Sequence, residues 1–447
     1  MTVRAATQNQ WFRPWWLAGW TIALLVTLAP TAGAQDSGQS WVGTWAMAPV
    51  LLPPPNARAT SGLGAEPILI QGQSLRQIVH TSIGGAAVRV ALTNLFGDGS
   101  LEIGSAHVAL RSDGATIEPA AAGALRFDGR SSVRIAAGAT VLSDPVPLEI
   151  PALVDLAIDL YLPDDLSGAT ATYHSAALTT SYLSSDGNHV AAIQFPVERT
   201  FQNWFFLSRV EVLAPSETSV IVTLGDSITD GTASTPDTNS RWPDFLARRL
   251  AVHGDTPAAV LNVGIAGNRV LNDNAGLGIL RRDRNAPVPP PPNPNALFGP
   301  SALSRLERDV FEQPGVTHIV VLESTNDIGM AFDSEAPTVE QLIAGHTQLV
   351  ERAHARGLKI YGGTLAPFGG AFYFRDIGET KRQAFNEWIR NSGVYDAVID
   401  FDATVRDSGQ PSRFIEAYQS GDWLHPSDEG YRMMAEAVDL TLFDRQR

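Results

Sequence analysis

The sequence predicts two parts of different structural class: an all-β sandwich of jelly-roll type, followed by a three-layer α/β/α unit with a parallel sheet. Three observations support this. Short strand patterns separated by Gly, Asp and Pro fill residues 41–214. After Pro215 and Ser216, apolar strands alternate with helical patterns. The chain has 447 residues, of which 44% are hydrophobic, and this is enough for more than one core.

The β part is predicted at residues 35–215. Its clearest strand is residues 154–162, where apolar side chains occupy every second position from Val154 to Leu162, the pattern of a half-buried strand. Further strands are predicted at residues 75–80, 87–94, 106–111, 132–135, 171–183 and 203–213. Many short strands with turn signals between them are typical of a sandwich or jelly roll.

The α/β part is predicted at residues 216–447. Its strands are predicted at residues 219–224, 259–263, 318–322, 359–364 and 397–401. Its helices are predicted at residues 242–253, 302–311, 339–355, 379–392 and 427–443. This alternation is typical of a parallel sheet covered by helices. Residues 272–300 are too long and too rich in proline for a plain loop, and predict an insertion that is either a lid or a spacer.

Residues 1–34 have the features of a secretory signal peptide. Arg4 and Arg13 precede a mostly apolar stretch, and small residues precede a predicted cleavage after Ala34. We therefore expect a secreted or periplasmic protein that is soluble once the signal is removed. The alternative is an uncleaved membrane anchor, but the apolar run is shorter than the roughly 20 residues that a span needs.

Composition argues against several classes of function. Residues 1–34 hold two arginines and no acid, so their removal takes the net charge from −15 to −17. Such an acidic chain is unsuited to nucleic acid or to anionic membranes as partners. The absence of cysteine excludes disulfides, a thiolate nucleophile and a zinc–thiolate site. No glycine-rich dinucleotide motif follows the first parallel strand, and we expect neither a cofactor nor a metal.

Polar motifs occur where the predicted parallel strands end. Ser227 follows the first strand, Gly267 the second and Asn326 the third, while Asp422 and His425 lie in the last loop before the last helix. Ligands of doubly wound sheets bind beyond the carboxyl ends of the strands. We therefore expect these five residues to meet at one edge of the sheet.

The residue types fit acyl transfer. A serine hydroxyl needs a base that removes its proton as it attacks, and His425 can do this near neutral pH. Asp422 can accept the other imidazole N–H and so fix the orientation of the ring. The backbone N–H groups of Ser227 and Gly267, together with the Asn326 amide, could surround the developing oxyanion. These residues predict a hydrolase with a Ser227–His425–Asp422 triad.

The same motifs resemble those of the SGNH hydrolases, also called GDSL-like esterases and lipases. The segments that carry the resemblance are residues 225–229, Gly267, residues 326–327 and residues 422–425. It covers the second half of the chain and implies a flavodoxin-like fold, a serine nucleophile, a Gly–Asn oxyanion hole and an Asp-x-x-His pair. Ser324 stands where the family usually has glycine, and we expect the oxyanion hole to survive with a slightly altered approach. The preceding β domain is loosely similar to some bacterial carbohydrate esterases.

Each candidate residue also has a purely structural interpretation. Ser227 and Asn326 could cap helices, Gly267 could be a turn residue, and Asp422 and His425 could be ordinary loop residues. Taken alone, each motif is weak, and the hydrolase interpretation depends on their combination. The neighbouring acids Asp226 and Asp327 are interpreted as structural helix caps.

Three further clusters allow both a binding and a structural interpretation, and we favour the structural one. They are the histidines His346 and His354, the acids Asp400, Asp402 and Asp407, and the tryptophans Trp41, Trp45 and Trp204. The histidines are expected on a solvated helix face. The acids are expected in solvent at a strand end rather than around calcium. The tryptophans are expected in the core rather than in a sugar-stacking platform.

The sequence thus predicts an exported serine esterase. Export, the β domain and the lack of a broad apolar helix favour a short acyl ester as the substrate, in particular acetyl groups on a polysaccharide, with a small-molecule ester as the alternative. A lipase or arylesterase for longer acyl chains is one alternative. A glycan-binding protein with a degenerate hydrolase domain is another, and Ser324 is its one hint. The sequence predicts no oligomeric state.

Overall fold

The computed structural model describes residues 38–52, 70–254, 256–273, 298–330 and 336–444. Residues from Gly38 onward belong to one compact unit. The predicted signal peptide at residues 1–34 and most of the predicted insertion, residues 274–297, lie outside the described residues. Both therefore stay predictions. Every helix within the described ranges is too short or too polar to cross a lipid bilayer.

The first part of the chain is all-β, as predicted. Its strands are β1 Gln39–Ala46, β2 Val50–Leu52, β3 Gln71–His80, β4 Val88–Thr93, β5 Leu101–Ile103, β6 Ser105–Asp113, β7 Thr116–Leu125, β8 Val133–Ile135, β9 Thr140–Leu142, β10 Asp155–Asp165, β11 Ala171–His174, β12 Ser181–Asp186, β13 Val197–Phe201, β14 Trp204–Phe205 and β15 Leu207–Pro215. The two larger sheets have the orders β13-β12-β3-β10-β6-β7 and β1-β15-β4-β9. Their apolar side chains share one core. Two small sheets, β14-β11-β2 and β5-β8, complete this part.

Two predicted strands are each broken in two. Residues 171–183 form β11 and β12, separated by a turn in which Leu178 has a φ of 49°. Residues 203–213 form β14 and β15, separated by Phe206 with a φ of 58°. At both breaks the chain passes from one sheet to another. An unbroken apolar pattern does not reveal such a change of sheet, because both halves remain buried.

The strand predicted at residues 154–162 is more buried than a half-buried pattern implies. Asp159, on the face predicted to be polar, is 1% exposed. Its carboxylate accepts two hydrogen bonds of 2.7 Å from the guanidinium of Arg76 on β3. The ion pair allows a charged side chain to be buried in the six-stranded sheet.

The second part is a parallel sheet with helices, again as predicted. Its strands are β16 Ser219–Gly225, β17 Ala258–Asn262, β18 Val316–Leu322, β19 Lys359–Gly363 and β20 Ala397–Ile399. Its α-helices are α1 Ser227–Asp230, α2 Trp242–His253, α3 Ala302–Leu306, α4 Thr325–Gly329, α5 Val339–His354, α6 Asp376–Asn391, α7 Phe401–Val405 and α8 Asp428–Glu436. A π-helical turn, Glu307–Phe311, continues α3, and a short 3₁₀ helix, Leu440–Phe443, ends the region predicted as one helix at residues 427–443.

The strand order β17-β16-β18-β19-β20 is the flavodoxin-like order of a doubly wound sheet. The chain leaves β16 towards β17 on one side and later adds β18 on the other. The loops after β16 and β18 therefore diverge at the carboxyl ends of these strands, which is where such folds bind ligands.

The β part covers the outer strand of the parallel sheet. The amide N–H of Val260 on β17 donates to Oγ of Ser82 at 3.1 Å. A Cβ atom on Gly43 of β1 would lie 2.7 Å from a methyl group of Leu261, so the two parts pack in close contact there. This packing covers an edge strand that would otherwise present unpaired backbone groups.

Candidate active site

Ser227 lies in a tight turn between the buried strand β16 and the short helix α1. The carboxylate of Asp226 caps this helix and accepts the N–H of Ile228 at 3.0 Å. At Gly225, a Cβ atom would lie 2.1 Å from Oγ1 of Thr229 and 2.7 Å from the carbonyl oxygen of Leu322. The turn therefore needs glycine before it. It holds the Ser227 side chain at the carboxyl end of the sheet, as expected from the motif.

The structure brings Ser227, His425 and Asp422 into one hydrogen-bonded chain. Nε2 of His425 lies 2.9 Å from Oγ of Ser227, although the residues are 198 positions apart. Nδ1 of His425 lies 2.6 Å from Oδ2 of Asp422. The other carboxylate oxygen of Asp422 accepts the backbone N–H groups of Leu424 and His425, each at 2.9 Å.

The charge of Asp422 determines which atoms donate and which accept in these hydrogen bonds. Partial burial by itself raises the pKa of Asp422, but hydrogen bonds from the His425 imidazole and from the backbone N–H groups hold that pKa well below its usual range. Asp422 is therefore an anion at neutral pH and accepts a hydrogen bond from the N–H at Nδ1 of His425. In the neutral ring Nε2 is then an acceptor, and the Ser227 hydroxyl can donate to it.

Gly267 and Asn326 are connected through Asn268, the residue that follows Gly267. Asn326, in α4, is 2% exposed, and its amide donates to the backbone oxygen of Asn268 at 3.0 Å. Gly267 has a φ of 76°, and a Cβ atom there would lie 2.4 Å from the ring of Phe298. The loop that carries Gly267 is attached to the Ser227 turn, because Ile265 donates to the carbonyl oxygen of Gly225 at 3.0 Å. All five predicted residues therefore adjoin one edge of the sheet.

A buried arginine, which the sequence analysis missed, holds these loops together. Arg305 of α3 is 1% exposed. Its guanidinium donates to the carbonyl oxygens of Val263 at 2.6 Å and Gly225 at 3.1 Å, and to Oδ1 of Asn268 at 2.9 Å. The one feature of the sequence that could have indicated a buried arginine is its position in an apolar helical pattern, four residues before Asp309. The two side chains pair at 3.3 Å.

Three buried acids surround the turn. Burial, the main cause, raises the pKa of Asp226 to about 6 and also raises the pKa values of Glu323 and Asp327. Arg305 partly balances their charge, at 3.6 Å from Glu323. Asp327 does not cap a helix as predicted. Its carboxylate instead accepts the N–H groups of Val270 at 2.9 Å and Leu271 at 3.3 Å, and so connects α4 to the loop after β17.

The prediction of a solvated histidine face is wrong for His346. Its side chain is buried, with Nε2 2.9 Å from Oγ of Ser324 and Nδ1 2.5 Å from the hydroxyl of Tyr395. Burial lowers the pKa of His346 to about 3, so the ring is neutral. His354 is 46% exposed. Eight residues along a helix amount to a rotation of about 80° beyond two full turns, and this is enough to separate the two environments.

The tryptophan cluster and the cluster of acids around Asp402 contribute to packing and to ion pairs within the fold. Trp45 and Trp204 are buried and pack edge to face, with ring centroids 4.9 Å apart, as expected for core residues. Asp402 is 2% exposed and lies 2.6 Å from both Arg382 and Arg390. It is therefore paired with guanidinium groups rather than solvated. Among the described residues, no group of three or more potential ligands is arranged to hold a metal ion.

Tyr373 is a further site residue that sequence reasoning did not find. Its ring packs against Gly329 of α4, where a Cβ atom would lie 2.3 Å from it. The hydroxyl is buried and has no hydrogen-bond partner among the described residues. Burial raises the pKa of Tyr373, and so do the nearby carboxylates of Asp226 and Asp422. The hydroxyl is thus exposed to the charge of Asp226, next to Ser227, and to that of Asp422.

Comparison with known proteins gives a family for this part of the chain. Residues 223–433 match the family model described as the GDSL-like Lipase/Acylhydrolase family. No curated protein matches the chain.

Similar solved structures align with about half of the chain. An acetyl xylan esterase from Geobacillus stearothermophilus has 18% identity over 52% of this chain and 99% of its own, with a TM-score of 0.35. The lipase/acylhydrolase from Enterococcus faecalis has 17% identity over 51% and 100%, with a TM-score of 0.36. A member of the lipolytic protein G-D-S-L family from Veillonella parvula has 19% identity over 51% and 100%, with a TM-score of 0.35. Through the match of the family model, residues 223–433 are a domain of the GDSL-like lipase/acylhydrolase family, as the sequence motifs predict.

Proposed function

We propose that the protein is an exported serine esterase that removes short acyl groups, in particular acetyl groups from a polysaccharide. The observation that carries this proposal is the hydrogen-bonded chain Ser227–His425–Asp422, with 2.9 Å between Oγ and Nε2 and 2.6 Å between Nδ1 and the carboxylate. A hydroxyl, an imidazole and a carboxylate in this order are the parts that activate a serine nucleophile.

The reaction proceeds in two steps. The Ser227 oxygen attacks the acyl carbon while Nε2 of His425 takes the hydroxyl proton, and Asp422 stabilises the resulting imidazolium. His425 then gives this proton to the leaving alcohol oxygen as the ester bond breaks, which leaves an acyl group on Ser227. In the second step a water molecule loses a proton to His425 and attacks the acyl group. The acid departs and the proton returns to Oγ of Ser227.

The oxyanion of each tetrahedral intermediate is held by neutral donors. These are the backbone N–H groups of Ser227 and Gly267 and the side-chain amide of Asn326. The contact of the Asn326 amide with the Asn268 backbone supports this assignment, because it keeps two of the donor segments together. Donors fixed by such contacts before the reaction need little reorganisation as the negative charge forms.

Two aromatic side chains pack close to the proposed oxyanion donors, which supports a small acyl group. The ring of Phe298 lies against Gly267, and that of Tyr373 lies against Gly329, three residues after Asn326. The Tyr373 hydroxyl is buried and has no hydrogen-bond partner among the described residues, an arrangement that costs free energy.

The substrate class can be tested with acylated probes. We expect faster hydrolysis of an acetylated glycan and of 4-nitrophenyl acetate than of 4-nitrophenyl esters with longer acyl chains. A strong preference for long chains would contradict the short-acyl proposal and favour a lipase or arylesterase.

The nucleophile can be tested by covalent labelling. A serine-reactive organophosphate should label the wild-type protein at Ser227 and leave the Ser227→Ala variant unlabelled. A folded wild-type protein that is neither labelled nor active would exclude an esterase and favour the glycan-binding alternative.

A further inference from the structure

The β part contributes a buried histidine to the active-site end of the parallel sheet. His174 ends β11 and is 3% exposed. Its Nε2 lies 2.9 Å from Oδ1 of Asp230, the last residue of α1, which begins with Ser227. Its Nδ1 lies 2.9 Å from the carbonyl oxygen of Ala48. His174 therefore connects the β part directly to the helix of the proposed nucleophile.

The two partners of His174 determine its protonation. A carbonyl oxygen only accepts hydrogen bonds, and so does an ionised carboxylate. Both ring nitrogens must therefore carry hydrogen, which makes the ring an imidazolium paired with Asp230. Burial by itself lowers the pKa of His174, but the charge of Asp230 and the hydrogen bonds to Asp230 and Ala48 raise it above its ordinary value. The nearby Arg241 opposes this rise.

Asp230 also forms a hydrogen bond with the loop that carries Gly267, a proposed oxyanion donor. While Oδ1 faces His174, Oδ2 accepts the backbone N–H of Ala266 at 3.0 Å. Ala266 immediately precedes Gly267. Asp230 thus joins α1 to the loop after β17, and it needs both carboxylate oxygens to do so. An Asp230 side chain that rotated away from His174 would release the Ala266 amide.

We propose that His174 is a positioning residue, which holds Asp230 so that the amides of Ala266 and Gly267 keep their place relative to Ser227. This inference rests on the proposed function, since it assigns Gly267 to the oxyanion hole. It also means that the β part is required for turnover even if it never contacts the substrate. His174 itself takes no part in proton transfer.

Two amide substitutions separate the two hydrogen bonds of His174. The amide nitrogen of glutamine can occupy the position of Nε2, so His174→Gln keeps a donor to Asp230 and loses the one to Ala48. The amide nitrogen of asparagine can occupy the position of Nδ1, so His174→Asn keeps the donor to Ala48 and loses the one to Asp230. Both variants remove the positive charge and one buried hydrogen bond, and each is the matched control for the other.

With 4-nitrophenyl acetate, we expect His174→Asn to lower kcat by about 10-fold to 100-fold with KM nearly unchanged. The variant disturbs the position of the oxyanion donors and leaves the groups that bind the substrate in place. We expect His174→Gln to keep kcat within about 3-fold of wild type, since Asp230 retains its donor. Equal losses of kcat in both variants, or a change in KM alone, would overturn the inference in favour of a merely structural role.

Amide hydrogen exchange gives a readout that does not depend on turnover. Exchange at Ala266 should be faster in His174→Asn than in His174→Gln, and equal rates would overturn the inference. If His174→Asn does not fold, Asp230→Ala serves instead. It removes the acceptors of both His174 and Ala266, so it should lower kcat at constant KM, and a wild-type kcat would count against the inference. Activity of the wild-type chain tests the proposed function separately.

Discussion

The hydroxyl of Ser324 lies 2.9 Å from Nε2 of the buried His346, and this contact holds a serine in a left-handed backbone conformation. Ser324 has a φ of 100°, a value that favours glycine. The position precedes α4 and lies two residues before Asn326. Glycine, the residue that the resemblance to the SGNH hydrolases leads us to expect here, adopts this conformation without strain. The contact with His346 shows how this chain supports a different residue.

Substitutions at Ser324 should separate backbone strain from the hydrogen bond to His346. Ser324→Gly and Ser324→Ala both remove that bond, but only glycine relieves the left-handed strain. We therefore expect the glycine variant to be more stable than the alanine variant by about 1–2 kcal/mol. Urea unfolding of both variants measures this difference. Equal stabilities would mean that the backbone at this position is not strained.

His425 and Ser227 should behave as a single catalytic unit. His425→Ala should lower kcat by about 10⁴-fold or more, and the double variant with Ser227→Ala should lose little beyond either single variant. Steady-state kinetics on 4-nitrophenyl acetate tests both statements. His354→Ala, an exposed histidine that also pairs with an aspartate, is the control and should keep its activity. Multiplicative losses in the double variant would contradict a shared role.

Asn326→Ala should lower kcat by about 10²–10³-fold if the amide stabilises the oxyanion. KM should change little, because the ground-state ester carries no full negative charge. Asn94→Ala is the matched control. Asn94 is also buried and donates to two backbone oxygens, but it lies in the β part. A wild-type kcat for Asn326→Ala, or an equal loss in both variants, would remove Asn326 from the oxyanion hole.

The buried carboxyl of Asp226 should make stability depend on pH. Its folded-state pKa is about 6, above the value near 4 expected when the chain unfolds. Between these values the folded state binds more protons, so this group lowers stability as the pH rises through the window. Asp226→Asn keeps an acceptor for Ile228 and removes the titration. Its stability relative to wild type should therefore increase from about pH 4 to about pH 6 and then level off.

Urea unfolding at several pH values tests this expectation, and a difference that does not change with pH would contradict it. Asp439→Asn provides a control of opposite sign. Hydrogen bonds from Thr441 lower the pKa of Asp439, which is fully exposed. The stability of this variant relative to wild type should fall slightly, rather than rise, as the pH increases through the acidic range.

Arg305 should be one of the most sensitive positions for stability. Arg305→Met removes the guanidinium beside two buried acids, Glu323 and Asp309, of which Asp309 keeps its ion pair with Arg308, and we expect a loss of stability of about 3–5 kcal/mol. Arg356→Met is the control, because Arg356 pairs with Glu307 at an exposed position, where a loss below about 1 kcal/mol is expected. Urea unfolding gives both values. Similar losses of stability in the two variants would show that the contribution of Arg305 to stability does not come from its burial.

The sequence alone was enough to predict the class of fold and the place of the candidate site. Alternating strands and helices predict a parallel sheet, and the carboxyl ends of parallel strands share one edge. Ser227, Gly267 and Asn326 each follow such a strand, so their proximity follows from the topology. The Asp-x-x-His spacing similarly allows Asp422 and His425 to bond within one loop. All of these predictions depend on patterns local to the chain.

The tertiary structure decided the contacts between segments that have no fixed spacing. His174 meets Asp230, and Ser324 meets His346, because separate layers pack against each other there. The change of sheet at Leu178 has the same origin. Local periodicity reports which side chains are buried but not which partners they meet, since a buried face packs equally well against many apolar surfaces. Only the assembled layers select those partners, and with them the hydrogen bonds that surround Ser227.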